Sequence, residues 1–330
     1  MNGYKPPYTI SDTMLKLAAS ISDKAGRIDT YTNMSTKPHL RRHNRIVSIH
    51  SSLKIEANSL SLNEVRDVID GKHVLGPELE IREVANAYKA YSKIEDVNPY
   101  SIDDLKMMQG IMENGIQSDA GRFRDGEEGV FDGDSCIFMA PPAKRVPSLM
   151  ANLFSWMISE KDTVHPLIMS AVFHYEFVFI HPFSDGNGRT ARLWHNVLLT
   201  NWNPIFEYIP LESQIEKFQK GYYKAIADCN SEGRSDHFIE FMLERIDEIL
   251  DEYIEQVTHS DEMLSEYVKR MLEAMDFGVP YTSSEIMKRL GLKSKETFRK
   301  NYMTPAMNGG LVVMTVPDKP RSRNQRYIKK

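Results

Sequence analysis

The chain has 330 residues, of which 41% are hydrophobic and 26% are charged, a length and composition that allow more than one domain with a sizeable buried core. This balance is typical of an ordinary globular protein and argues against a membrane-spanning class. The net charge of −5 is uneven, because residues 281–330 hold twelve Lys or Arg and three Asp or Glu, which leaves the rest of the chain strongly acidic.

The two cysteines and the N-terminal residues bear on where the protein works. Cys136 and Cys229 show no paired spacing, so neither a disulfide framework nor a zinc site is suggested, and a reducing cytoplasm fits best. The N-terminal residues lack a basic start followed by an apolar run, and the most apolar stretch, SAVFHYEFVFI, is interrupted by His174 and Glu176. We therefore predict a cytoplasmic protein with neither an export signal nor a membrane span.

Apolar residues at spacings of three and four predict that most of the chain is helical. Ser101 with Asp104 is typical of a capping box, and Glu212 follows Pro210 as the first turn of a helix would. The fold class predicted is all-α, or mainly helical. The predicted helices cover 10–25, 38–57, 78–95, 102–114, 145–160, 164–180, 188–202, 212–228 and 236–256.

The second predicted helix ends in a stretch, SSLKIEANSLSLNEV at 51–65, with two polar residues on one face. Ser52 and Glu56 are four positions apart, so on a helix both side chains would point at the same site. Taken alone, a glutamate at the end of a mixed helix is simply a solvated residue. Its interpretation depends on a motif further along the chain.

The helical pattern breaks between residues 118 and 142. This segment, SDAGRFRDGEEGVFDGDSCIFMAPP, is rich in glycine, is broken by charges and ends in two prolines. Such a composition predicts a long loop with one short hairpin, and long loops inside helical domains are often functional.

The most informative stretch is HPFSDGNGRTAR at 181–192, which has apolar helical segments on both sides. We expect a helix–loop–helix junction in which His181 ends the first helix and Asn187 opens the second. A helix N-terminus exposes unpaired N–H groups and a partial positive charge, which together attract anions. Gly186 and Gly188 let the backbone approach an anion with no Cβ in the way.

The other side chains of this stretch supply charge and a base. Arg189 and Arg192 are three positions apart on the second helix, so both can clamp phosphate oxygens. Asp185 offers a carboxylate for Mg²⁺, which usually bridges phosphates, and the ordinary pKa of His181 suits proton removal near neutrality. Each feature alone is usually structural, but their occurrence at one junction predicts phosphoryl or nucleotidyl transfer.

The stretch resembles the signature of Fic domain proteins, HPFx[D/E]GNGRxxR, and matches it at every defined position. Most Fic enzymes transfer AMP from ATP to a hydroxyl of a target protein, and their fold is a bundle of helices around this loop. The resemblance implies that His181 deprotonates a target Ser, Thr or Tyr and that Asp185 binds Mg²⁺. The predicted ATP-binding residues are Gly186, Asn187, Gly188, Arg189 and, at the γ-phosphate, Arg192.

The glycine-rich loop gains a role from the same resemblance. GRFR (121–124) and IFMAPP (137–142) are similar to the region that forms the Fic flap, a β-hairpin near the active site. An exposed hairpin edge can align an extended target segment by main-chain hydrogen bonds, with little demand on side chains. The residues predicted to face the target are Ile137, Phe138 and Met139.

The stretch at 51–65 resembles the inhibitory motif [S/T]xxxE[G/N] of many Fic proteins. In that motif the glutamate pairs with the second arginine of the active-site signature, here Glu56 with Arg192, and the serine is Ser52. Ala57 departs from the usual Gly or Asn, and Asn58 comes one place late. Such a pair would compete with ATP for the arginine; in some relatives the same glutamate supports removal of AMP instead.

The basic tail resembles a winged helix-turn-helix, with short helices up to a Gly-Gly stop and the strands LVVMTV and NQRYIKK flanking PDKPRSR. Its charge favours phosphate contacts with DNA, and the other interpretation is a domain for protein contacts or homodimerisation. The residues predicted to contact DNA are Lys295, Arg299 and Lys300 on the recognition helix, with Arg321, Arg323 and Arg326 around the wing.

The resulting prediction is an autoinhibited protein adenylyltransferase that uses ATP and Mg²⁺. The predicted domains are an N-terminal helical region at 1–100 with an inhibitory helix at about 38–57, a catalytic domain at 101–258 and a winged helix-turn-helix at 259–330. Two alternatives remain open: a nucleotide-sensing DNA-binding regulator, and transfer of another group such as UMP or phosphocholine.

Overall fold

The computed structural model describes residues 4–32, 38–132, 135–263, 266–276, 278–308, 311–316, 319 and 322–329. The chain divides into two compact units, Met1–Glu252 and Tyr253–Lys330. Within the described residues no helix is both long enough and apolar enough to cross a membrane.

The first unit is built almost entirely of helices, as predicted. A two-stranded hairpin, β1 (Gly129–Asp132) and β2 (Ser135–Met139), interrupts them. The α-helices that begin in this unit are α1 (Asp12–Thr32), α2 (Pro38–Ile55), α3 (Leu62–Ile69), α4 (Glu78–Tyr91), α5 (Ile102–Met112), α6 (Val146–Glu160), α7 (Pro166–Ile180), α8 (Asn187–Trp202), α9 (Leu211–Lys217), α10 (Gln219–Glu232) and α11 (Asp236–Met263).

Three details differ from the sequence-based expectation. The helix predicted at 212–228 is two helices, because the chain leaves helical geometry at Phe218. An additional helix, α3, begins at a capping box formed by Ser61 and Glu64. Ser101 does cap α5, but the Asp104 carboxylate accepts the N–H of Asn98, so only half of the predicted capping box forms.

Helices α7 and α8 pack against each other along their length and form the centre of the core. The almost continuous apolar sequence of α7 requires burial on all sides, and nearly every residue of it is buried. Aromatic rings of Phe154, Phe173 and Trp194 join α6, α7 and α8 through centroid distances of 5.8 to 6.4 Å. The loop between α7 and α8 is therefore held between two buried, closely packed helices.

The predicted hairpin lies in the glycine-rich loop. Its antiparallel register pairs Gly129 with Met139 and Val130 with Phe138, with an irregularity after Val130. The ring of Phe138 packs against Phe179 of α7 at a centroid distance of 5.4 Å. This contact places the strand edge beside the end of α7, where the polar motif begins.

The second unit has its own core around Met271, Tyr281, Phe298 and Tyr302. The described residues of this unit form an antiparallel sheet in the order Pro280–Tyr281, Tyr327–Lys329, Val312–Met314, so the predicted hairpin is present with one further strand. The elements after α11 are α12 (Glu266–Glu273), β3 (Pro280–Tyr281), α13 (Ser283–Leu290), α14 (Lys295–Thr297), a π-helical turn (Phe298–Met303), α15 (Thr304–Asn308), β4 (Val312–Met314) and β5 (Tyr327–Lys329).

Candidate active site

The polar motif forms the junction between α7 and α8, as the flanking apolar segments predict. His181 follows the last residue of α7 in a left-handed conformation, with φ of 50°, and its N–H donates to the carbonyl oxygen of Phe177 at 2.9 Å. Gly186 is also left-handed, with φ of 75°, and precedes the first turn of α8. The chain thus reverses direction within six residues and brings His181 and the N-terminus of α8 together.

Asn187 locks this loop from inside. Its side-chain oxygen accepts the N–H of Phe183 at 3.0 Å, and its side-chain nitrogen donates to the carbonyl oxygen of Phe183 at 2.7 Å. One N–H and the oxygen of the amide are thus engaged with the loop. The predicted phosphate contact of this residue stays a prediction.

Arg192 is buried and lies against the end of α2. Its Nε donates to the Ser52 hydroxyl at 3.0 Å, and one terminal nitrogen donates to the Ser52 carbonyl oxygen at 2.9 Å and to Glu56 Oε1 at 2.8 Å. Burial alone would lower the pKa of Arg192, but the charge of Glu56 raises it overall. Ser52 and Glu56, which the sequence places on one helix face, thus meet the same guanidinium.

The Glu56 carboxylate also covers the backbone of the first turn of α8. A Cβ added to Gly188 would lie 2.4 Å from Glu56 Oε1 and 3.2 Å from a terminal nitrogen of Arg192. A Cβ at this position would therefore displace the Glu56 carboxylate, and the glycine lets the carboxylate lie against the helix start. An acid therefore occupies the position at which a helix N-terminus and an arginine would otherwise receive an anion.

The termination of α2 determines where Glu56 points. The N–H of Ala57 donates to the carbonyl oxygen of Lys54, and the N–H of Asn58 donates to that of Leu53, which together form a Schellman motif. Ala57 takes the left-handed position of this motif, with φ of 66°, where Gly or Asn is ordinarily found. The departure from the inhibitory motif at Ala57 is therefore a matter of backbone strain, and the turn still forms.

Behind Arg192 lies a group of buried rings that the sequence did not indicate. The Tyr222 hydroxyl is 3.0 Å from His174 Nε2, and the rings of His174 and His195 are 5.4 Å apart. Burial lowers the pKa of His195 to about 3, and burial together with His195 and Arg192 lowers that of His174 well below its ordinary value. Both histidines are consequently neutral and add no positive charge beside Arg192.

Arg189 faces a different environment, enclosed by three acids. Its guanidinium lies 2.7 Å from Glu83, 3.2 Å from Glu113 and 3.3 Å from Asp185. Burial raises the pKa of Glu113 to about 7 despite the opposing charge of Arg189. A Cβ on Gly186 would lie 2.2 Å from Glu113, so this buried acid also requires a glycine in the loop. Phosphate binding by Arg189 stays a prediction, and it would have to compete with these carboxylates.

Asp185 fits the role of a magnesium ligand that works together with phosphates. Its side chain is half exposed, and its oxygens accept the N–H of Gly186 at 2.6 Å and the side-chain amide of Gln117 at 3.1 Å. Among the described residues no cluster of three or more acids, histidines or cysteines forms a metal cage. A single accessible carboxylate suits Mg²⁺, which keeps several waters and takes further oxygens from a nucleotide.

A cavity of about 500 Å³ opens beside His181, Gly188, Arg192 and Glu56. Burial lowers the pKa of His181, so the imidazole is neutral and able to accept a proton near neutral pH. The remainder of the cavity is mostly apolar and aromatic, with one amide. These residues are Phe138, Val178, Phe179, Tyr222, Tyr223, Ile226, Ala227 and Asn230.

Helix α10 therefore contributes a wall that sequence reasoning missed. Tyr223, Ile226, Ala227 and Asn230 recur at helical spacing, but the same pattern is found on any half-buried helix. The Asn230 side chain also contacts the hydroxyl of Tyr175 at 3.0 Å. Only the packing of α10 beside α7 shows that this face lines a cavity.

The residues predicted at the hairpin are described in part. Strand β2 contains Ile137, Phe138 and Met139, but the side chain of Ile137 lies outside the described residues. Phe138 lines the cavity, whereas Met139 is exposed. A strand edge thus lies beside His181, and its contact with a target stays a prediction.

The basic residues predicted to contact DNA lie in the second unit. Lys295, Arg299 and Lys300 are exposed on the helical segment that starts at α14, and Arg323 and Arg326 are exposed before β5. Arg326 lies 3.7 Å from Glu285, and Arg321 falls outside the described residues. DNA binding by this unit stays a prediction.

Comparison with known proteins agrees with the geometry. The Fic/DOC family model matches residues 99–199, and the model of the C-terminal domain of Fic-like "filamentation induced by cAMP" proteins matches residues 266–328. Protein adenylyltransferase fic-1 of Caenorhabditis elegans is 26% identical over 76% of this chain and 49% of its own length. Protein adenylyltransferase Fic of Aedes aegypti is 31% identical over 77% of this chain and 50% of its own. The chain spans about half the length of these curated relatives.

The solved structures include a match over nearly the whole chain. The crystal structure of a Fic family protein from Desulfovibrio desulfuricans G20 is 41% identical, covers 99% of this chain and 98% of its own, and superimposes with a TM-score of 0.74. Fic-1 of Caenorhabditis elegans, at 23% identity and a TM-score of 0.63, shares the fold over 75% of this chain and 73% of its own. This chain belongs to the Fic family.

Proposed function

We propose that the protein is an autoinhibited protein adenylyltransferase, which transfers AMP from ATP to a Ser, Thr or Tyr hydroxyl of a target protein. The observation that carries the proposal is the position of Glu56, paired with Arg192 at 2.8 Å and in contact with the backbone of Gly188, beside the cavity that His181 lines. A base, an anion-binding helix start and a removable acid at the same place support regulated nucleotide transfer. The names of the curated relatives support AMP as the group transferred.

In the proposed reaction the neutral imidazole of His181 takes the proton of the target hydroxyl. The hydroxyl oxygen then attacks the α-phosphorus of ATP, the bond to the bridging oxygen breaks, and pyrophosphate leaves. The N–H groups at the start of α8 and the Arg192 guanidinium would hold the phosphates in line for this attack. Asp185 would hold Mg²⁺, which neutralises the charge of the phosphates.

The cavity walls favour a nucleoside as the rest of the donor. A flat base fits between aromatic and apolar side chains, and the Asn230 amide can form hydrogen bonds with its edge. We propose adenine as that base. Competition of unlabelled ATP, UTP and CDP-choline with labelled ATP tests this assignment, which is contradicted if ATP competes no better than the others.

The proposed autoinhibition follows from competition between Glu56 and the γ-phosphate of ATP for the Arg192 guanidinium. While Glu56 holds Arg192, the γ-phosphate of ATP lacks its partner, so the α-phosphate is not aligned for attack. Leaving the buried Arg192 without its counter-charge costs up to roughly 3–5 kcal/mol, which is enough to keep the active arrangement rare. The same glutamate could instead assist removal of AMP from a modified target, and the direction is decided by experiment.

The test incubates the wild type, Glu56→Gly and Glu56→Gly/His181→Ala with Mg²⁺ and ATP labelled at the α-phosphate. Label on the protein itself and in a lysate should appear chiefly in Glu56→Gly and should vanish without His181. Glu232→Gly is the matched control. Glu232 also stands at the end of a helix immediately before a left-handed residue, but that helix is α10 and not the one that carries the acid paired with Arg192. The absence of label in every sample would sink the adenylyltransferase proposal and favour a DNA-binding regulator.

A further inference from the structure

Arg124 is a buried arginine outside the Fic signature, in the loop that leads to β1. It is 3% exposed, and all of its hydrogen bonds in the described structure go to main-chain oxygens. The guanidinium donates to the carbonyl oxygens of His181 at 2.6 Å, Gly126 at 2.7 Å, Pro141 at 2.6 Å and Ile180 at 3.4 Å, and the Arg124 N–H donates to that of Pro182 at 2.9 Å.

A buried cation surrounded by carbonyl oxygens needs another source of compensation. Two of the acceptors, Ile180 and His181, lie at the C-terminus of α7, where the last carbonyls of a helix lack intrahelical donors. The partial negative charge at that end stabilises a cation. Arg124 therefore caps α7 at the residue that supplies the base.

The other two acceptors connect the cap to the hairpin. Gly126 precedes β1 and Pro141 follows β2, so one planar guanidinium holds both ends of the hairpin. It simultaneously holds the main chain of His181, which has a positive φ that a residue with a Cβ adopts at a cost. No other described side chain has hydrogen bonds with all three segments.

We propose that Arg124 is a positioning residue, which fixes the distance between the His181 imidazole and the strand that would align the target hydroxyl. The inference rests on the proposed function, because it concerns that transfer. It differs from a general role in stability, because the phosphate-binding start of α8 and the α10 wall have no hydrogen bond to Arg124. Loss of Arg124 should therefore slow transfer without weakening ATP binding.

The experiment introduces Arg124→Gln, Arg124→Lys and the control Arg122→Gln into the Glu56→Gly background. Arg122 is two residues away, exposed, and donates to the carbonyl oxygen of Ser118. Initial rates of self-labelling at varied ATP separate the maximal rate from the KM for ATP. Hydrogen exchange followed by mass spectrometry reports on residues 126–141 and 177–183, and unfolding temperature with and without ATP reports on binding.

We expect Arg124→Gln to lower the maximal rate on the order of a hundredfold, since a displacement of about 1 Å between reacting groups has that effect. The KM for ATP should change less than about threefold. Exchange should accelerate in 126–141 and 177–183 but not in α10. Lysine keeps the charge but not the fork of donors, so the maximal rate of Arg124→Lys should lie between those of the parent and Arg124→Gln. If Arg124→Gln does not fold, Arg124→Lys tests the proposal.

Two results would overturn the proposal: parental labelling in both Arg124 variants, or a loss of labelling accompanied by an equal loss of ATP-dependent stabilisation. If the Glu56→Gly parent itself does not label, the adenylyltransferase proposal fails, and hydrogen exchange then decides about Arg124. Unchanged exchange in 126–141 and 177–183 contradicts its positioning role, and faster exchange confined to those segments supports it.

Discussion

Arg189 and Arg192 lie one turn apart on α8, and both are buried, but the acids around them differ. Among the described residues Arg192 has one carboxylate within salt-bridge distance, that of Glu56, which is 36% exposed and comes from the end of α2. Arg189 faces three, of which Glu113 is fully buried. A partly exposed acid at a helix end can move into water, whereas a buried acid in a cluster has nowhere to go without a large desolvation cost.

Under the proposed function, this difference distinguishes a regulatory contact at Arg192 from a structural cluster at Arg189. Opening the Glu56–Arg192 pair exposes one carboxylate to solvent and frees a cation beside the cavity. Opening the Arg189 cluster would leave acids from α4, α5 and the motif loop without a counter-charge. We infer that regulation acts at Arg192 and that Arg189 holds together the elements that carry Asp185.

The largest expected effect is on activity. Glu56→Gly should raise self-labelling by about a hundredfold to a thousandfold, because it removes the acid that competes with the γ-phosphate. Glu113→Gln removes an acid from Arg189 instead and should raise labelling by less than about twofold. Both rates are measured with labelled ATP and Mg²⁺ at saturation. Equal activation by the two changes would contradict the distinction between the arginines.

Stability should respond in the opposite order. Arg189→Met should lower the free energy of unfolding by about 3 kcal/mol, because three acids lose their shared counter-charge and the buried Glu113 has to take up a proton. Arg192→Met should cost less, about 1–2 kcal/mol, since Glu56 can turn to water and only the buried oxygens of Ser52 lose a donor. Urea unfolding followed by circular dichroism measures both values. A larger loss of unfolding free energy for Arg192→Met than for Arg189→Met would show that the Glu56–Arg192 contact is also the main structural one.

Low pH should lower the free energy of unfolding, because the buried neutral histidines behind Arg192 resist protonation in the folded protein. The pKa of His195 is about 3 in the folded protein and near 6.5 in the unfolded chain, so the unfolded state binds more protons between these values. The contribution of His195 to the free energy of unfolding is therefore fully present above about pH 6.5. It falls as the pH decreases, by about 2 kcal/mol at pH 5.

His195→Gln should remove that part of the loss between pH 7.5 and pH 5 in urea unfolding. His237→Gln is the control, because Glu232 raises the pKa of the exposed His237, which gives a pH dependence of opposite sign. An unchanged slope in His195→Gln would show that His195 is already protonated in the folded protein.

The smallest expected effect concerns the turn that carries Glu56. Ala57→Gly should stabilise the protein by about 1 kcal/mol, because glycine adopts the positive φ without strain, and residual labelling should fall by up to about fivefold. Ala19→Gly, in the exposed part of α1, should instead destabilise it by about 1 kcal/mol. Melting curves distinguish the two, and destabilisation by Ala57→Gly would mean that the turn is not strained.

The sequence predicted the helical fold and most of the motif's surroundings for clear physical reasons. Apolar spacing on both sides of residues 181–192 predicts two buried helices, and the polar residues between them then have to form their junction. The four-residue spacing of Ser52 and Glu56 predicts a shared face. The resemblance to Fic proteins added Arg192 as their partner, and the contact in the structure agrees with it.

Other features were decided only by the tertiary structure. Glu113, Arg124 and Asn230 occur in ordinary helix or loop contexts, and nothing local distinguishes a buried acid, a cap or a cavity wall from a solvated side chain. Their roles arise because α4, α5, the hairpin and α10 converge on one helix junction from distant parts of the chain. Local spacing determines which face of an element is apolar, but only packing determines which charges lose their water and which partners replace it.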